Sequence, residues 1–177
     1  MDKLREGMLQ VYTGNGKGKT TAALGQALRA IGHGFKVYII QFMKGYGEYG
    51  ELKAAKRLYP NLIIEQFGRV KHVNKEKPEK VDYELAEKAL LKAKEIVESG
   101  DWDMVVLDEV NIALNFGLIS LDKVLEVIKA KPKHVELVFT GRYAPKEIID
   151  LAELVSEVVE IKHPYHKGVK PRIGIEY

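Results

Sequence analysis

The chain has 177 residues, 46% of them hydrophobic, enough to bury a substantial core and too few for two ordinary domains, so residues 1–177 are expected to form one unit. Basic residues exceed acidic ones by only three (28 − 25) and are mostly interleaved with them, so no global basic field argues for a nucleic-acid partner. The absence of cysteine excludes disulfides, thiolate zinc sites and cysteine nucleophiles; with no secretory-type apolar leader and no run near the ~20 apolar residues of a membrane span, a cytoplasmic setting without a membrane partner is expected.

The first element in chain order is the apolar stretch Met8-Leu9-Gln10-Val11-Tyr12. Thr13-Gly14-Asn15-Gly16-Lys17-Gly18-Lys19-Thr20-Thr21 follows and runs into the helix-like Ala22-Ala23-Leu24-Gly25-Gln26-Ala27-Leu28. Three glycines let the backbone curl so that several N–H groups face one concavity, the helix presents its positive end, Lys19 adds a cation and Thr20 offers a hydroxyl to Mg²⁺. The spacing departs from G-x-x-x-x-G-K-[ST] at one place, where Thr13 stands for the first glycine. A plain Gly/Lys-rich turn has no reason to end in Gly-Lys-Thr-Thr after a strand, so a variant phosphate loop, with residues Gly14 to Thr21 facing a nucleoside triphosphate, is expected.

Short β-branched runs then alternate with helical patterns. Strands are predicted at 37–42, 62–67, 104–108 and 135–140, with a weaker one at 158–161; helices are predicted at about 20–31, 48–58, 82–99, 121–130 and 145–155, with Asp82 capping the third and Pro145 opening the last. This alternation predicts an α/β, three-layer P-loop fold with a mostly parallel sheet and helices on both faces. The polar, lysine-rich stretch from Arg69 to Lys80 is expected to be a surface excursion, mobile when no ligand is bound.

Strand ends carry the chemistry. Val105-Val106-Leu107-Asp108-Glu109 ends in two carboxylates, placed to organise Mg²⁺ opposite the loop, because ligands of open α/β sheets gather at the carboxyl ends of strands. Read alone, Asp108 and Glu109 are equally loop acids or helix caps; Asn111 either orients the same shell or starts a short helix. In Thr140-Gly141-Arg142-Tyr143, the Arg142 guanidinium suits phosphate or a carboxylate. Lys44, after the second strand in Gln41-Phe42-Met43-Lys44-Gly45, is within reach of an anion. The cationic, aromatic segment from Lys162 to Tyr177 reads either as a nucleic-acid strip or as a tail folding over a pocket or a partner subunit.

These motifs and their order, together with Lys162-His163-Pro164, Gly168-Val169 and Gly174-Ile175-Glu176-Tyr177, resemble the CobA-type cob(I)alamin adenosyltransferases, the ATP:corrinoid adenosyltransferase family, over nearly the whole chain. The resemblance implies transfer of the 5′-deoxyadenosyl group of ATP to a reduced cobalt(I) corrinoid with release of triphosphate, ATP lying in the loop in reverse sense. It implies catalytic roles for Lys19, Asp108 and Glu109, Mg²⁺ on Thr20, Asp108 and Glu109, and ATP or corrinoid contacts from Gly14, Asn15, Gly16, Lys17, Gly18, Lys19, Thr20, Thr21, Lys44, Phe67 and Arg142. A homodimer and a flavoprotein reductant are implied as well. The family's Phe-x-Trp pattern has no tryptophan here: Phe67-Gly68-Arg69-Val70 offers Phe67 as the aromatic wall, with Lys71, Lys75 or Lys77 toward polar groups at the corrinoid's edge. Two other functions share the loop: a small-molecule kinase, which would transfer the γ-phosphoryl group, and an ATP-gated corrinoid carrier without turnover.

Overall fold

The computed structural model describes residues 4–45, 47 and 49–177. Six strands form one parallel sheet: β1 (Leu9–Thr13), β2 (Val37–Phe42), β3 (Leu62–Phe67), β4 (Met104–Asp108), β5 (Glu136–Thr140) and β6 (Leu154–Glu157), in the spatial order β3-β2-β4-β5-β1-β6. Six α-helices connect them: α1 (Lys19–Gly32), α2 (Gly50–Leu58), α3 (Lys80–Ser99), α4 (Val110–Asn115), α5 (Leu121–Lys129) and α6 (Lys146–Leu151).

Strand alternation sorts the core into two layers. Tyr38, Ile40, Phe42, Val105, Leu107, Leu137 and Phe139 pack with Ala86, Ala89, Leu90 and Ala93 of α3, whereas Val37, Ile39, Met104, Val106 and Val138 pack with Ala23, Ala27 and Ala30 of α1 and Ala55 of α2. The central strands are buried on both faces, as helices on each side of a parallel sheet require. Among the described residues no helix is long and apolar enough to cross a membrane.

Three expectations change. The helical spacing read through 145–155 stops at Leu151, because the free edge of β1 captures the next residues: Glu153 donates its N–H to Leu9 O at 3.1 Å, its carboxylate accepts from Leu9 N at 2.7 Å, and β6 follows. The weaker strand expected at 158–161 is therefore displaced to Leu154–Glu157. The third helix starts at Lys80, capped by Glu79, with Asp82 completing the capping box from its third position. The 69–80 stretch does run over the surface, tied there by Arg69, which grips the buried Asp82 carboxylate through two 2.8 Å bonds and Glu79 through a third, and by Lys75 Nζ, which donates to Asn115 Oδ1 at 2.8 Å.

Candidate active site

β5 lies between β1 and β4, so the loops after β1, β5 and β4 meet at one end of the sheet. The loop after β1 curls through Gly14 (φ 93°) and Gly18 (φ 127°), left-handed conformations that glycine adopts without penalty, and α1 begins at Lys19 with Gly18 as its N-cap. Thr13, standing in the first glycine position, accepts a hydrogen bond from Ala144 N at 3.3 Å and so ties the phosphate loop to the loop after β5. The backbone amides at this helix start supply an anion-binding end.

A polar chain crosses the sheet beneath this end. Gln66 Nε2 donates to Gln41 Oε1 at 2.9 Å, and Gln41 Nε2 to Asp108 Oδ2 at 3.1 Å, following the pairing of Gln41 with both Gln66 and Asp108 in the sheet register. Asp108, with 0% of its surface exposed, also receives Lys44 Nζ at 2.8 Å on Oδ2, and the hydroxyls of Thr20 (2.8 Å) and Thr140 (2.6 Å) on Oδ1. Burial opposes its ionisation, but the Lys44 charge and the hydrogen bonds from Lys44, Thr140 and Thr20 outweigh burial and hold the carboxyl below its usual range. Glu109 behaves oppositely: burial and the neighbouring Asp108 charge push its carboxyl up, against the pull of Lys44, Lys19 and Arg142.

All the non-glycine residues with φ > 0 among the described residues sit at this end: Met43 (58°) after β2, Glu109 (64°) after β4 and Tyr143 (63°) after β5. Such conformations cost about 1–3 kcal/mol each and concentrate at functional sites.

Above the polar chain opens a cavity of about 990 Å³, in the range of small-molecule sites. The predicted residues Gly16, Lys17, Gly18, Lys19, Thr20, Thr21, Lys44, Glu109 and Arg142 line it. Its apolar walls come from Leu24, Leu28 and Leu58 on one side and Ile112, Phe116 and Tyr143 on the other, where Lys75 Nζ lies 5.8 Å and 5.9 Å from the centres of the Phe116 and Tyr143 rings. The tail, left open between two readings, folds over this pocket with His163 and Gly174 to Tyr177 among its lining residues.

Some predicted residues stand elsewhere. Phe67 is not among the lining residues: it shares the parity of Ile63 and packs against the core on the α3 side, opposite the face where Gln66, Gln41 and Asp108 align. Gly14 and Asn15 shape the loop without lining the cavity. Lys19 is only 7% exposed, its ammonium donating to Gly16 O at 2.7 Å; burial is the main cause holding its pKa below the usual lysine value. Asp108, expected to bind a metal directly, has its oxygens occupied by Thr20, Thr140, Gln41 and Lys44, and so positions the Thr20 hydroxyl. The remaining hydroxyl and carboxylate oxygens, on Thr20 and Glu109, are hard donors of the kind Mg²⁺ takes when phosphates complete its shell. In keeping with that, no group of three His, Asp or Glu among the described residues could hold a metal alone. Thr140, Gln41 and Gln66 are members of this polar chain that sequence reasoning missed; the one available signal is a polar side chain at or next to the end of a largely apolar strand.

The family model described as "ATP:corrinoid adenosyltransferase BtuR/CobO/CobP" matches residues 5–177. The corrinoid adenosyltransferase of Pseudomonas aeruginosa is 38% identical over 171 residues, 97% of this chain and 84% of that protein. That of Escherichia coli K12 is 36% identical, covering 97% and 86%. Among solved structures, the flagellar accessory protein FlaH from Methanocaldococcus jannaschii shares the fold with a TM-score of 0.59 at 13% identity, covering 87% of this chain and 72% of that one.

Proposed function

This chain belongs to the ATP:corrinoid adenosyltransferase family, and from that membership and the cavity at its phosphate loop we propose that it transfers the 5′-deoxyadenosyl group of ATP to a reduced cobalt(I) corrinoid, releasing triphosphate. Cobalt(I), part of the substrate, supplies the electron pair. The cobalt–carbon bond forms at C5′ as the C5′–O bond breaks, and that oxygen leaves on the triphosphate with the bonding pair. The protein therefore needs no serine, cysteine or histidine base; it must hold C5′ in line and neutralise the leaving group.

The convergence of Lys19, Thr20, Lys44, Glu109 and Arg142 on one partly apolar cavity carries this conclusion. Loop amides and Lys19 receive the triphosphate, and Arg142 adds a bidentate donor at the rim. Thr20, held by Asp108, and Glu109 would hold Mg²⁺, which supplies charge neutralisation among the phosphates. Lys75, Phe116 and Tyr143 form the face offered to the flat acceptor, in place of the aromatic wall expected from Phe67.

The acceptor must be reduced to cobalt(I) before the transfer, and a separate electron donor, a flavoprotein in this reading, supplies that electron. A homodimer fits the exposed Leu151, Leu154 and Val155 beside the outer edge of β6. A cytoplasmic setting, where ATP is plentiful, belongs to this reading. Incubation with ATP and a chemically reduced corrinoid, followed by the corrinoid absorption spectrum and phosphate analysis, tests the assignment. The expected products are an adenosylated corrinoid and triphosphate; diphosphate with a phosphorylated acceptor would instead identify a kinase.

A further inference from the structure

From Ile161 to Tyr177 the tail is exposed at every residue except His163 and Glu176, and both of these line the cavity. Glu176 is already engaged, accepting from the backbone N–H of Arg172 at 2.7 Å and from its guanidinium at 3.0 and 3.3 Å. Among the described residues, His163 is engaged on one nitrogen only. Its Nδ1 accepts from Tyr165 N at 3.1 Å and caps the short 3-10 turn Pro164–Lys167. A ring nitrogen that accepts carries no hydrogen, so this bond assigns the proton of the neutral imidazole to Nε2. Edge-on packing against Tyr165 (centroids 6.5 Å apart) and His166 (6.3 Å) orients the ring.

The segment leading to His163 is fixed against the phosphate loop. Gly16 N donates to Val158 O at 2.7 Å, and a Cβ at Gly16 would fall 2.8 Å from Val159 O, an approach that only glycine permits. Farther along, Lys17 Nζ donates to Ile175 O at 3.2 Å. Arg142 belongs to the same neighbourhood: it lines the cavity with His163, and after His166, paired with Glu160 at 2.6 Å, it helps hold the Glu160 carboxyl below the usual range.

We propose that His163 is a further polyphosphate-binding residue, its Nε2–H donating to a triphosphate oxygen at the cavity rim beside Arg142, with the capping bond to Tyr165 fixing the tautomer. This rests on the reading that the cavity receives triphosphate, and it deepens that reading by giving the tail a direct part in binding. A neutral donor suits this rim position, because it adds a hydrogen bond to an anion already neutralised by Lys19 and Arg142.

Calorimetric titration of the whole chain with inorganic tripolyphosphate tests the proposal. Asparagine is a strong N-cap, so His163→Asn keeps an acceptor for Tyr165 N while removing the Nε2–H. The expected result is an unchanged unfolding temperature and a tripolyphosphate Kd raised about tenfold, the scale of one hydrogen bond to a charged group. His163→Ala, which removes both, should lower affinity equally. Wild-type affinity in His163→Asn would overturn the proposal even if His163→Ala were weak, since the histidine would then act only as a cap. Lys19→Ala separates this failure from that of the function: loss of binding there, with His163→Asn unaffected, leaves the phosphate loop in place and removes His163. Absence of tripolyphosphate binding by the wild-type chain would sink the proposed function and this inference together.

Discussion

Lys44 Nζ lies 2.8 Å from Asp108 Oδ2, a fully buried carboxylate, so an ammonium on the loop after β2 supplies positive charge beside the Thr20 hydroxyl. Burial disfavours both charges. The partner's charge more than offsets this on each side, holding the Asp108 carboxyl below and the Lys44 ammonium above their usual values. The Asp108 contribution to stability is therefore complete above the carboxylate's reference pKa of 3.8 and is lost as the pH falls through its lower folded value. The Lys44 contribution is complete below 10.5 and is lost as the pH rises through its higher folded value.

Lys44→Met should consequently cost about 3 kcal/mol near neutral pH, because it strands a buried charge. Denaturant unfolding of the wild type and the variant at pH 7 and pH 3 measures this. The difference should shrink at the acid end, where the Asp108 carboxyl takes up a proton in the variant. A constant difference across that range would show that Lys44 acts through packing and not through charge.

Glu109 should show the opposite sign. Its folded pKa is raised, by burial first and then by Asp108, so stability is greatest below the reference value of 4.5 and falls as the pH rises through the folded value. Glu109→Gln should therefore stabilise the chain by about 1 kcal/mol at pH 7 and lose that advantage in acid, while weakening Mg²⁺-dependent turnover. Gain of stability with loss of activity is the signature of a carboxylate kept for function. Destabilisation at pH 7 together with an unchanged Mg²⁺ titration would remove Glu109 from the cation's shell.

Lys19 differs from Lys44 in having no carboxylate partner at contact distance among the described residues, its ammonium instead meeting the Gly16 carbonyl inside its own loop. Lys19→Ala should change stability by less than about 1 kcal/mol while lowering ATP affinity roughly 100-fold, on the scale of charged hydrogen bonds. Calorimetric titration with ATP, set beside the unfolding midpoint of the same sample, distinguishes the two lysines. Normal ATP affinity in folded Lys19→Ala would overturn the phosphate-site assignment.

Local chemistry made much of this site legible from sequence. The Gly14 to Thr21 loop, the β-branched runs of β2 to β5 and the carboxylates closing β4 all announce themselves within a few residues. What stayed hidden depends on neighbours distant in sequence. Nothing in Gln41-Phe42-Met43-Lys44 reveals that β2 pairs with β4, and that pairing alone delivers Gln41 and Lys44 to Asp108. The edge of β1 likewise turned a helical pattern into β6, and the left-handed backbone of Glu109 leaves no mark in its side chain. Phe67 shows the same limit, since strand parity, not aromatic character, decided which way it faced.

That parity leads to the last prediction. Phe67 packs against the α3-side core, whereas Phe116 and Tyr143 line the cavity around Lys75. Phe67→Ala should thus cost about 2 kcal/mol of stability through lost burial and leave corrinoid affinity unchanged in the folded fraction. Phe116→Ala and Tyr143→Gly should each weaken the corrinoid complex, on the order of tenfold, by removing apolar contact. Tyr143 provides the cleaner test: its φ of 63° costs a tyrosine but not a glycine, and its side chain is 54% exposed, so Tyr143→Gly should leave the unfolding midpoint level or higher. Corrinoid binding followed by absorbance at saturating ATP, alongside thermal unfolding of each variant, reads both quantities. Loss of corrinoid affinity in Phe67→Ala with Tyr143→Gly unaffected would move the acceptor to the end of β3 and restore the aromatic wall to Phe67.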